Sequence, residues 1–441
     1  MREREVSFSN RKTWAEERSE EGTMLKFLAR STALAAMIAA SALAAHAETL
    51  KMWGPEQITE PLVAQLWNGI KADFEKANPG VTVEFMPPTG TISNGAVQAA
   101  IQSDAGPDVI LTNSGIGRIS VVKNAKQVVP LTEQYEKRGW KDKIYPWLYT
   151  ELKGQFGGEI YEVPDGLDAL GIWYHKDIFA QAGWKIPATW SEFETLMKSI
   201  EETGLQPIAI GPRTSGSAGH LFGNLLQSAS GKEVIGKALR REIAWDDPSV
   251  AAGAIRLQKL VEAGDIKKEM AGLDLDGASR LWFNKRAAMF VAGPWFTANA
   301  RKAGYDLTNA GYAPMPSDIK GAAMPTGGVG WSWLIPVNSR QPELAMKWID
   351  FMLSDAVMKK RAQDPASTMI YPREIPGLEP PTPVLKEIFA AAAGGVGYNP
   401  SVYLPGPVLD TYFQVIQGLI SGQIGGEDGM KQIQTKMAEA K

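Results

Sequence analysis

The sequence predicts an α/β protein of two lobes joined by several chain crossings. Three observations carry this. A β-α-β-α-β rhythm fills the first stretch after residue 48, and the same rhythm returns in the second half. No flexible or low-complexity linker separates the two, and no internal repeat is present. The chain has 441 residues, 44% of them hydrophobic, which is enough for two or more domains.

The elements follow in order. Leu50 to Trp53 is a short apolar strand. Leu62, Leu66, Ile70 and Phe74 recur at helical spacing until Asn78-Pro79-Gly80 stops the helix. Val81, Val83 and Phe85 alternate as a strand does. An alanine-rich helix runs through Ala100, and "PDVILT" is the next strand. In the second half "QPIAIG" is a strand. Asp247 caps a helix with Pro248 at its first position, and Ile255, Leu257 and Leu260 lie near one face. "AAMFVAG" and "GWSWLIPV" are strands, and "PELAMKWIDFML" is an amphipathic helix. The rhythm predicts parallel-type strand pairing with helices on the faces.

Composition removes several classes of function. The formal net charge is −3, so no charge excess attracts nucleic acid or an anionic membrane. The chain has no cysteine, which excludes disulfides, thiol catalysis, thiolate metal sites and a lipid-bearing N-terminal cysteine. Three histidines provide no histidine metal cluster. There is no GxxxxGK[ST] phosphate loop, and "GGVG" is too short for a dinucleotide fingerprint. No metal or cofactor is expected.

From Met24, "MLKFLARSTALAAMIAASALAAHAET" reads as an export signal. Lys26 and Arg30 form a basic region, Ser31 to Ala45 is apolar but too short to span a membrane, and Ala45-His46-Ala47 fits a cleavage site. Residues 1–23 read as an upstream start, residues 24–47 as the signal, and the exported chain as beginning at Glu48. No later apolar run is long enough to span a bilayer, so the expected location is the Gram-negative periplasm.

In open α/β sheets, ligands lie beyond the carboxyl ends of the strands. Gly54, Pro55 and Glu56 follow the first strand, and Asn113, Ser114 and Gly115 follow "DVILT". Gly211, Pro212 and Arg213 lead a Ser/Gly loop to His220, and Gly293, Pro294 and Trp295 follow "MFVA". Glycine and proline hold such loops close and stiff. Hydrogen-bonding groups beside aromatic faces suit a polyhydroxylated molecule, whose rim needs polar partners and whose C–H faces pack on rings.

These residues resemble a known family. "GGEIYEVPDGLDALGIWYHKDIFAQAGWKIPATWSEFETLMKSI", "FNKRAAMFVAGPWFTANA", "YAPMP" and "GGVGWSWLIPVNSRQPELAMKWIDFMLSD" resemble, in order, segments of ABC-transporter solute-binding proteins of the maltose-binding, family 1 type. Arg286 stands where that pattern has a glycine or small residue. The resemblance implies a two-lobed periplasmic binding protein fold of type II, with mixed central sheets flanked by helices and a ligand cleft between lobes. The implied division is an N-terminal lobe of 48–166 with 333–385 and a C-terminal lobe of 167–332 with 386–441. The implied function is binding a mono- or oligosaccharide and delivering it to a permease pair driven by a cytoplasmic ATPase. The chain is expected to act as a monomer, without nucleic acid or membrane insertion.

By the same resemblance Asp168 falls at a sugar-binding acid in the crossing, and Trp295 on a tryptophan that stacks on a sugar ring. Asn113 and Ser114 fall in a ligand-contacting loop, which here lacks the tryptophan and Asp-Arg pair of the maltose binder. Gly327 and Gly328 fall where backbone approaches closely; Trp331 and Trp333, two apart on a strand, share a face, and Trp331, nearer the glycines, is the one expected to reach the ligand. Asp165, Glu56, His220 and Arg373 are further candidates. Trp53 is either cleft or core, whereas Trp67, Trp173, Trp190, Trp282 and Trp348 read as packing. Arg213, if it points inward, would pair an anionic substituent such as a phosphate or sulfonate. A secreted glycosidase using Asp165 or Asp168 with Glu56 is the enzymatic alternative; the leading reading is a binding protein, not an enzyme.

Overall fold

The computed structural model describes residues 48–55, 58–214 and 216–440. The upstream stretch 1–23, the export signal 24–47 and Glu56 lie outside the described residues. The described chain forms two compact units: a small one of 48–49 with 75–82, and a large one of 50–74 with 83–440. In the small unit the Glu48 amide donates to the Gly80 carbonyl at 3.0 Å.

Among the described residues nine strands form the sheet: β1 (Glu48–Trp53), β2 (Val81–Met86), β3 (Val109–Asn113), β4 (Val163–His175), β5 (Gln206–Ala209), β6 (Ala287–Ala292), β7 (Ala310–Ala313), β8 (Thr326–Leu334) and β9 (Gly397–Tyr398). The order is β2-β1-β3-β8-β4-β6-β5, with β7 on β4 and β9 on β8. The parallel-type pairing expected from the rhythm holds for β1 with β3 and β5 with β6. It fails in the middle, where β8 runs antiparallel to both β3 and β4, and β4 antiparallel to β6. A strand that returns from the other half of the chain enters without a βαβ crossover, so the local rhythm carries no information on its direction.

Two apolar clusters flank these crossing strands. The larger collects Ile172, Phe193, Phe222, Trp245, Leu257 and Ile416, among others. The smaller holds Trp53, Val97, Ile110, Ile119, Val122 and Leu334. β4 reaches the first through Ile172, and β8 reaches the second through Leu334. Their middles, where Asp168 pairs with Gly328, fall between.

Local chemistry accounts for the helices. Asp247 accepts from the Ser249 amide ahead of Pro248, as the cap pattern predicts, and Leu257 and Leu260 are buried. Thr189 and Glu192 close a reciprocal capping box on helix Trp190–Glu201. In helix Pro61–Ala77, Leu66, Ile70 and Phe74 are buried as expected, whereas Leu62 is 54% exposed in the first turn and Trp67 is buried beside them. Among the described residues no helix is long and apolar enough to cross a membrane.

Candidate functional site

A cavity of about 690 Å³ opens beside the middle of β4 and β8, within the size range of small-molecule sites. β4 contributes Asp168, and β8 contributes Gly327, Val329, Gly330 and Trp331. β3 ends at the cavity with Asn113, which pairs with Trp331 across the ladder. β6 delivers Trp295 through its Gly-Pro exit, at the start of helix Phe296–Lys302. Helix Gly216–Leu239 supplies Ser217 and His220.

Asp168, Trp295 and His220 converge. A Cβ placed on Gly293 would lie 2.6 Å from Asp168 Oδ1 and 2.7 Å from Trp295 Nε1, so both side chains close over that position. Only a residue without a side chain leaves room for them. The His220 ring sits 5.7 Å from the Trp295 ring, tilted by 51°. Gly327 serves another close approach, since a Cβ there would lie 2.0 Å from the Asp168 carbonyl oxygen.

The electrostatics of this corner are set by burial. Asp168 keeps a partly exposed face, but the surrounding protein raises its carboxyl to about 6, with Arg118 offsetting part of the effect. Burial lowers His220 to about 4, and Arg118 adds to the shift, so the imidazole is neutral at pH 7. His220 Nδ1 is buried without a hydrogen-bond partner among the described residues. A neutral imidazole donates at one nitrogen and accepts at the other, which matches a hydroxyl.

The floor is built differently. Arg361, from helix Asp355–Gln363, donates from Nη1 and Nη2 to the two carboxylate oxygens of Asp165 at 2.7 and 2.6 Å. Trp333 Nε1 donates to the same carboxylate at 2.9 Å. The guanidinium stands 5.1 Å from the Trp67 ring centre and 5.5 Å from that of Tyr371. Burial opposes its charge, but the charge and hydrogen bonds of Asp165 together with Tyr371 hold Arg361 above its ordinary range. Arg361, Trp67 and Tyr371 all line the cavity.

A flat indole, a carboxylate, an amide and an imidazole around a cavity of this size form a binding surface for a polar molecule with apolar faces. The family model for bacterial extracellular solute-binding proteins matches residues 58–359. The chain belongs to that family.

The solute-binding protein is 24% identical over 335 residues to an uncharacterized ABC transporter extracellular-binding protein of Pyrococcus horikoshii, covering 73% of this chain and 71% of the relative. It is 23% identical over 309 residues to the multiple sugar-binding protein of Streptococcus mutans, covering 65% of this chain and 68% of that one. Among solved structures it is similar to a chitin oligosaccharide binding protein, with a TM-score of 0.74 at 20% identity, covering 89% of this chain and 98% of that one. The mixed α/β fold of family 1 solute-binding proteins expected from the sequence is therefore the fold of this chain.

Of the candidates named from sequence, the cavity gathers Asn113, Asp168, His220, Trp295, Gly327 and Trp331. Five others stand elsewhere. Ser114 is fully buried, with its hydroxyl bonded to Glu162. Asp165 is consumed by Arg361 and Trp333, which also removes it from a two-carboxylate hydrolytic pair. Arg213 is 57% exposed, ion-paired to Asp274 and outside the cavity lining. Gly328, at φ +134°, faces the Tyr403 hydroxyl, and Arg373 is tied to Asp355 and to the Leu353 carbonyl. Among the tryptophans, Trp53 and Trp173 are core, with Trp190, Trp282 and Trp348. Trp333 is fully buried against Trp67 and Trp348, leaving Trp331 at the cavity. Trp67, read as packing, is 5% exposed and lines the cavity as well.

Sequence reasoning missed Arg118, Arg361, Tyr371 and Asn399. Tyr371 lies two residues from Arg373, so the candidate loop reaches the cavity through a different side chain. Arg118 follows the "NSG" strand exit that was singled out, one helical turn further on.

Proposed function

We propose that this chain binds a sugar reversibly in the cavity beside β4 and β8 and hands it to an ABC-type importer. The observation that carries the reading is the convergence of Trp295, Asp168 and His220 over Gly293. The indole offers a face for the C–H side of a pyranose ring, and the carboxylate and imidazole offer partners for its hydroxyls. A hydroxyl bonded to an ionised carboxylate contributes about 1.5–3 kcal/mol, so a few such bonds with one stacked ring give micromolar binding. The names of the Streptococcus mutans relative and of the chitin oligosaccharide binding protein favour the same class.

In this reading the chain is exported by residues 24–47 and works in the periplasm as a monomer. Its lobes comprise 48–166 with 333–385, and 167–332 with 386–441. The two apolar clusters share no residue and support that division. The ligand closes the lobes by its preference for the closed form, and no product is formed.

The test is a thermal-shift screen against a library of mono- and oligosaccharides, followed by calorimetry on the hits. A ligand present at 100 times its Kd adds about 2.7 kcal/mol of stability. Saturable binding with unchanged sugar recovered afterwards is the expected result. Released reducing ends, or no sugar binding across the library, would refute the reading.

A further inference from the structure

Arg361 is the most deeply buried cation to reach the cavity, with its side chain 4% exposed and that of its partner Asp165 1% exposed. The fork-to-fork pair uses one N–H on each terminal nitrogen, which leaves three of the five guanidinium N–H groups unspent on Asp165. The group cannot swing away. Asp165 fixes its plane, Trp333 fixes Asp165, and Trp67 and Tyr371 lie 5.1 and 5.5 Å from it. It is a rigid donor whose charge is already compensated.

The same compensation recurs around the cavity. Lys302 is paired with Glu60 at 2.7 Å, and both line it. Arg118 lowers the Asp168 carboxyl by its charge, and burial holds Arg301 below its ordinary range, an effect that Glu60 and Asp364 only partly offset. A ligand carboxylate or sulfonate would therefore meet, in Arg361 and Lys302, cations that already have their counter-charges. It would lose its hydration without gaining a free partner. A neutral hydroxyl or ring oxygen needs only an N–H, which Arg361 still has.

We infer that Asp165 is a specificity-determining residue that touches no ligand: by masking the charge of Arg361 while holding its remaining N–H groups toward the cavity, it makes the site select neutral over acidic sugars. The inference rests on the sugar-binding reading above. Asp165 is a positioning residue, and Arg361 is the group that meets the sugar.

The experiment is calorimetric titration of matched pairs that differ only by oxidation at C6: galactose with galacturonate, glucose with glucuronate, and cellobiose with cellobiouronate. The wild-type protein should bind the neutral member of at least one pair tenfold or more tighter than the acidic one. In Asp165→Asn the ratio should move toward the acidic member by at least tenfold, because Arg361 is uncovered. A merely structural role for Asp165 would weaken both members alike, and that result would overturn the inference. So would a wild-type preference for an acidic member, which would leave the sugar reading standing. If Asp165→Asn does not fold, the double variant Asp165→Asn/Arg361→Gln decides, since it leaves no unpaired charge. It should lose several-fold in neutral-sugar affinity with the wild-type ratio retained; undiminished neutral affinity would remove Arg361 from the ligand. Binding of none of the six sugars by the wild type would overturn the inference alone, whereas no binding across the full library would sink the reading beneath it as well.

Discussion

Two carboxylates stand three residues apart on β4 and have opposite fates. Asp165 is sealed under the cavity floor, saturated by Arg361 and Trp333. Asp168 faces the cavity from a partly exposed position, with its proton held until about pH 6. β4 pairs with β8 throughout this stretch, but the register slips on both sides of Gly166, between the two acids. A slip in register changes which face a side chain serves. The difference teaches that an acid in a binding site either builds the wall or meets the guest, and its partners decide which.

Breaking the wall should have the largest effect. Asp165→Asn leaves a buried guanidinium without its counter-charge, which costs about 3–5 kcal/mol of stability. Urea denaturation of the free protein measures it, and a loss under 1 kcal/mol would place the pair outside the structural core. Removing the guest-facing ring comes next. Trp295→Ala should leave the fold intact and weaken sugar binding by about 1–3 kcal/mol, roughly 5- to 150-fold, from lost ring burial. Unchanged affinity by calorimetry would rule out stacking.

Asp168 sharpens the contrast through pH. Its folded-state value is raised to about 6 from the usual carboxylate range near 4. In the free protein its contribution to stability is therefore present below about pH 4 and is lost as pH rises through about 6. Binding has the opposite sign, because a sugar hydroxyl that donates to the carboxylate favours the ionised form. Affinity should fall as pH drops below about 6, by up to about tenfold per pH unit, and Asp168→Asn should bind more weakly with that dependence gone. A pH-independent Kd in the wild-type protein between 7.5 and 5 would remove Asp168 from the contact set. The smallest effect belongs to Arg213→Ala. Its exposed pair with Asp274 contributes about 0–1 kcal/mol, and sugar affinity should stay within about twofold. A tenfold loss would bring that loop back into the site.

The sequence made the strand exits legible because each couples an apolar run to glycine and proline, a signal contained in a few neighbouring residues. Asn113 and Trp295 are legible in this way, whereas Asp168, inside β4, is legible only through the family resemblance. Arg361 left no such trace. In "SDAVMKKRAQD" it is the third cation of a polar helix, and nothing local separates it from Lys359 and Lys360. Its partner is 196 residues away in sequence, and only the fold brings them together. Arg213 failed for the converse reason: its loop is in the right place, but Asp274, 61 residues on, turns the side chain aside. The antiparallel course of β8 was hidden too, since strand direction is set by the connection and not by the strand's own residues.

Gly293 fixes what can be re-engineered in this pocket. Because two guest-facing groups close over one bare α-carbon, any substitution there displaces both at once. A biosensor tuned to another carbohydrate would have to leave that position untouched and recruit its new selectivity from an exposed lining residue such as Asp410.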